Sequence, residues 1–112
     1  ANTGATMTQN EGGEITIASV SDTTSRGIIT NGTLDTSGKI TIGNISNQGR
    51  GIVINTGGTM TQNVGGEIEI GDVSGATSYG IITFGPLTTT GKITIGDVSD
   101  AGQSIFINTG GT

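Results

Sequence analysis

Four short stretches of this chain alternate apolar and polar residues with a beat of two: Glu14-Ile15-Thr16-Ile17, Lys39-Ile40-Thr41-Ile42, Glu67-Ile68-Glu69-Ile70 and Lys92-Ile93-Thr94-Ile95. A glycine opens each of them, and Val20, Ile45, Val73 or Val98 follows three residues after the last isoleucine. A period of two belongs to a strand with one buried and one wet face, whereas a helix would repeat its apolar positions every three to four residues. A second strand is predicted around Ile28, Ile52, Ile81 and Ile105, and a third, shorter one around Met7, Leu34, Met60 and Leu87. Between them lie glycine-bearing turns such as Asn31-Gly32, Thr56-Gly57-Gly58 and Asn63-Val64-Gly65-Gly66, where positive φ is tolerated.

These stretches recur because the chain is a tandem repeat. Residues 7–59 and 60–112 align without a gap, with roughly two-thirds of their positions identical. Inside each 53-residue unit the Gly-x-Ile-x-Ile motif appears twice, at Gly13 and Gly38 and again at Gly66 and Gly91, so that successive spacings are 25, 28 and 25. Periods of this size mark solenoids. Equivalent strands at fixed spacing stack in parallel, isoleucine on isoleucine, which places an antiparallel sandwich of hairpins second. The predicted fold is all-β: a single parallel β-solenoid segment over residues 1–112, with about four coils of 25–28 residues and three short strands per coil. Its hand is right-handed by the general preference for right-handed crossovers. The longer coil gains its residues before Met60 and Gly66, in turns, which leaves the alternation of each strand intact.

Stacking converts the repeat into columns. The predicted core columns are Ile15, Ile40, Ile68 and Ile93; Ile17, Ile42, Ile70 and Ile95; Ile28, Ile52, Ile81 and Ile105; and Met7, Leu34, Met60 and Leu87. On the outer face, Glu14, Lys39, Glu67 and Lys92 form a row of alternating sign, read as a structural ladder that sets register, because like charges placed opposite one another repel. Ile29, Val53, Ile82 and Phe106 fall between inward positions, and alternation pushes them out as an apolar row and possible contact surface. Ser21, Ser46, Ser74 and Ser99 end the first strand of every coil and read as corner residues whose hydroxyls bind turn backbone. Asp72 and Asp97 share a row with Ser19 and Asn44, with Glu69 nearby, which makes calcium the one conceivable metal. The glycine-aspartate nonapeptide of calcium-binding β-rolls is absent, and no cofactor is expected.

Composition narrows the function. The chain has 22 glycines, three aromatic residues, no cysteine and no histidine. It therefore lacks disulfides, thiolate metal sites and the commonest acid-base group, and its acids are spread by the repeat rather than gathered in a cleft. An enzyme is not expected. A net charge of −5 with four basic residues argues against nucleic acid. No apolar run approaches the ~20 residues that span a bilayer, so membrane insertion is not expected, and the segment reads as soluble with any targeting peptide absent or removed.

The Gly-x-Ile-Thr-Ile-Gly units, the Asn-Thr-Gly-Gly turns at 55–58 and 108–111, and the glycine-, threonine- and asparagine-rich background resemble the passenger repeats of secreted bacterial surface proteins, of the autotransporter and filamentous-haemagglutinin kind. The resemblance implies an extracellular or cell-surface stalk, adhesin or matrix filament, with a host or cell-surface receptor as a candidate partner. Self-assembly is the alternative, with the chain meeting itself or neighbouring repeats end to end or laterally, because open coils expose unpaired strand edges. Residues 107–112 repeat the phase of residues 1–6, and neither end has an evident polar cap. Ice binding is the lesser alternative: Thr8, Thr61 and Thr88 share one row and Thr16, Thr41 and Thr94 another, interrupted by Asp35 and Glu69.

Overall fold

The computed structural model describes residues 2–112 and is a parallel β-solenoid of four coils without a helix. The first coil contains β1 (Thr6–Gln9), β2 (Glu14–Ile17) and β3 (Arg26–Thr30), and the second β4 (Thr33–Thr36), β5 (Lys39–Ile42) and β6 (Arg50–Ile54). The third contains β7 (Thr59–Gln62), β8 (Glu67–Ile70), the short β9 (Val73–Ser74) and β10 (Tyr79–Thr83). The fourth contains β11 (Leu87–Thr89), β12 (Lys92–Ile95), the short β13 (Val98–Ser99) and β14 (Gln103–Ile107). Like strands stack into three four-stranded sheets, β1-β4-β7-β11, β2-β5-β8-β12 and β3-β6-β10-β14, and every pairing is parallel. Val20, Ile45, Val73 and Val98 continue the stack at a corner through single bridges and the β9-β13 pair.

The register is the one that the isoleucine columns require. Ile15 pairs with Ile40, Ile40 with Ile68 and Ile68 with Ile93. Leu34, Ile40, Ile42, Ile45, Ile52, Ile54, Met60 and Ile68 are sealed at 0–1% exposure, so the core is a stack of aliphatic side chains mainly from the two middle coils, joined by Val20 of the first. Ile15, Ile17, Ile28, Leu87, Ile93 and Ile95 pack against it while only partly buried. Met7 and Ile105, expected in the core, are 42% and 41% exposed, because each has a neighbouring coil on one side only.

The corner after the first strand is two residues longer in the first and third coils, where Gly12 (φ +82°) and Gly65 (φ +86°) take the left-handed conformation that a side chain disfavours. A glutamine fills each widened corner from inside. Gln62 is fully buried, its Nε2 donates to the Lys92 carbonyl (2.9 Å), and its Oε1 accepts from the Thr89 hydroxyl. Gln9 does the same with the Lys39 carbonyl (2.9 Å) and Thr36 Oγ1 (2.5 Å). Along the solenoid the inner column therefore reads Gln9, Thr36, Gln62, Thr89. Each glutamine reaches only into the coil after it, so the two coils of one 53-residue unit are clasped together, which gives a physical reason for a period of two coils.

Candidate functional site

Since the solenoid interior is filled, chemistry is available on three outer faces and at the two end coils.

The face of the second sheet carries Glu14, Lys39, Glu67 and Lys92 as successive Cα partners. The ion pair that forms is diagonal, with Lys39 Nζ 3.5 Å from Glu69 Oε2, and both side chains remain substantially exposed. Glu69 stands two residues along the strand from Glu67 on the same outer face, so Lys39 has a choice of carboxylates in the next coil. A concavity of about 200 Å³, open to solvent, lies here, lined by Glu11, Glu14, Ser37, Lys39, Glu67 and intervening glycines. No group of three acids gathers to hold a metal among the described residues.

The row of Asn44, Asp72 and Asp97 binds from coil to coil. Asn44 Oδ1 accepts the Asp72 N–H (2.9 Å), and Asp72 Oδ1 accepts the Asp97 N–H (2.9 Å), so each side chain binds the backbone of the next coil. The glycine before each of these residues makes the approach possible, since a Cβ on Gly71 or Gly96 would collide with Asn44 Oδ1 or Asp72 Oδ1. The corner serines differ from expectation. The hydroxyls of Ser21, Ser46, Ser74 and Ser99 make no hydrogen bond among the described residues, and their backbones carry the ladder instead, as in Ser46 N–H to the Val20 carbonyl and Ser74 N–H to that of Ile45. The hydroxyl that does bind a turn is that of Ser78, which accepts the Gln48 N–H (2.9 Å).

The first sheet turns two threonine rows outward. Thr8, Thr61 and Thr88 share one row with Asp35, which accepts from Asn63 Nδ2 at 2.7 Å. A second row, Thr6, Thr33 and Thr59, lies two residues earlier and completes a Thr-x-Thr pattern in two coils. Its signal in the sequence is a threonine directly before each of Met7, Leu34 and Met60. None of these six hydroxyls has a partner among the described residues, whereas the inward Thr30, Thr36, Thr83 and Thr89 all donate to protein oxygens.

The third sheet carries the proposed contact row. Ile29, Val53, Ile82 and Phe106 are successive partners, and they lie outside the main core, as alternation requires. They do not form an open stripe. Val53 and Ile82 are 1% and 2% exposed because Tyr79, Phe84 and Phe106 pack over them, and Ile29 alone stays open at 42%. Tyr79 and Phe106 meet at 5.3 Å between ring centroids, and the Arg50 guanidinium sits 5.7 Å from the Tyr79 ring. All three aromatic residues of the chain are thus on one outer face, and none is in the main core. A second outward row, Arg26, Arg50, Tyr79 and Gln103, runs beside them.

No protein-family model, curated protein or solved structure matches this chain.

Proposed function

We propose that the chain is a structural repeat segment of an extracellular surface or filament protein, a stalk, adhesin or matrix fibre of the kind its Gly-x-Ile-Thr-Ile-Gly units resemble. The observation that carries this reading is the direction of its polar chemistry. Every side-chain hydrogen bond outside the local turns joins residues 24–30 apart, one coil to the next. Such bonding serves to hold a stack, and a stack lengthens by repetition. Covalent tandem copies of the 53-residue unit test it. X-ray scattering is expected to show a rod that grows by about 10 Å for each added unit of two coils, and copies that tumble as separate globules would refute the reading.

End-on assembly of separate chains is a second reading, favoured by the apolar columns open at both end coils: Met7 at one end, and Ile105 with Ile107 (55% exposed) at the other. Two positions work against it. In the column Ala18, Gly43, Gly71, Gly96, a Cβ would point at the preceding coil, and the first coil alone has one. In the column Gly27, Gly51, Gly80, Ser104, a Cβ would point at the following coil, and the fourth coil alone has one. If end-on assembly operates, Ala18→Gly with Ser104→Gly strengthens it, as read by light scattering against concentration; a particle that stays monomeric in both forms at high concentration removes this reading.

A further inference from the structure

The charged rows of this protein do not share one sign pattern. On the second sheet the signs alternate from coil to coil, Glu14, Lys39, Glu67, Lys92. On the third sheet Arg26 lies directly against Arg50, two like charges one interstrand spacing apart, about 4.8 Å at the backbone. Like charges placed opposite each other destabilise a sheet. No acid relieves them, since the one ion pair among the described residues is Lys39 with Glu69.

A second cost falls on the same place. Arg50 Nε is buried and has no hydrogen-bond partner among the described residues, and a buried donor left unsatisfied costs stability. Tyr79 takes one face of the guanidinium, but an aromatic ring offers no acceptor in the plane of its N–H groups. Arg26 makes a single long bond, from Nη1 to the Thr24 carbonyl at 3.4 Å, and is exposed. In a chain of net charge −5 this is a paired cationic spot with no acid in ion-pair contact among the described residues.

The surroundings indicate what could compensate it. Beside the arginines lie Ile29, exposed, and Phe84 and Phe106, both partly buried, over the buried floor of Val53 and Ile82. A packed aromatic and aliphatic centre flanked by arginine has the composition of a protein-protein hot spot, where tyrosine and arginine concentrate the binding energy. Guanidinium groups recognise carboxylates through paired N–H donors.

We propose that the outer face of the third sheet is a docking surface for an acidic protein segment in extended conformation. Arg26 and Arg50 take its carboxylates, and Ile29 and Phe106 take its apolar side chains. The two arginines along the solenoid axis set the spacing of the acids, and the buried floor keeps the surface rigid before the partner arrives.

Fluorescence anisotropy with a labelled peptide of alternating glutamate and valine tests the proposal on the whole chain. Binding is expected to weaken at least tenfold in Arg26→Gln/Arg50→Gln and to persist in Lys39→Gln/Lys92→Gln, which removes the same total charge from the second sheet. Arg26→Gln alone, at an exposed position, guards against loss of fold and is expected to weaken binding severalfold. Three results would overturn the proposal: no binding by the unaltered chain, equal losses in the two double variants, or binding of a carboxylated polysaccharide at this face in place of the peptide.

Discussion

Ile40 and Ile93 belong to one column and one kind of strand, yet Ile40 has no exposure and Ile93 is only partly buried. The difference is their position in the stack. Ile40 lies between Ile15 and Ile68, while Ile93 has Ile68 on one side. The same contrast separates the two middle coils from an outer one in two further columns, with Leu34 and Met60 sealed and Met7 open, and Ile52 and Ile81 sealed and Ile105 open. In a solenoid an identical motif therefore differs in energetic weight with the number of coils that cover it, and stability resides at junctions between coils rather than in any coil alone.

Mutations at matched positions can break that contrast. Ile40→Ala leaves a cavity between two coils and is expected to cost about 2–5 kcal/mol, whereas Ile105→Ala costs well under half of that, and thermal or denaturant unfolding compares them. Equal losses would mean that the outer coil is as well covered as the inner. Gln62→Leu removes the bonds of a buried glutamine to the Thr89 hydroxyl and the Lys92 carbonyl, which join the third and fourth coils; about 1–3 kcal/mol in all is expected. Gly71→Ala brings a Cβ against Asn44 Oδ1 and breaks its bond to the Asp72 N–H, at a cost of about 1–3 kcal/mol. The opposite change at the equivalent place in the first coil, Ala18→Gly, is expected to leave the midpoint nearly unchanged. Lys39→Glu has a small effect, about 1 kcal/mol or less, because its ion pair is exposed and diagonal, and high salt is expected to erase the difference from the unaltered chain.

The fold was legible in the chain because parallel stacking writes the same residue into the same column again and again. The alternation Ile15-Thr16-Ile17 marks the strand, and its return at Ile40, Ile68 and Ile93 marks the partner. The glutamine clasp was less legible. Gln9 and Gln62 are polar residues at a strand end, where solvent is the default reading, and only the widened corner and the inward direction of that position turn them into the core. The outer apolar row was placed correctly by alternation, but its exposure was not, because Phe84 covers it from a position where the other coils have asparagine, Asn31, Asn55 and Asn108. A single departure from the repeat carries no periodic signal. The arginine pair escaped notice for a related reason: Arg26 and Arg50 lie 24 residues apart, off the 53-residue period, and become neighbours only once the shorter second coil is taken into account.

The central claim is in-register stacking of coil on coil, and a pair of engineered cysteines tests it most directly in a chain that has none of its own. Thr16 and Thr41 are Cα partners on the same outer face, within the ~4.4–6.8 Å over which a disulfide closes. Thr16→Cys with Thr41→Cys is expected to oxidise to a single intramolecular bridge, seen as a loss of two free thiols in the monomer. The offset pair, Thr16→Cys with Lys39→Cys, stands about 8 Å apart by strand geometry and is expected to stay reduced under the same conditions. Bridging of the offset pair in preference to the matched one would contradict the register and, with it, the stack on which the proposed function rests.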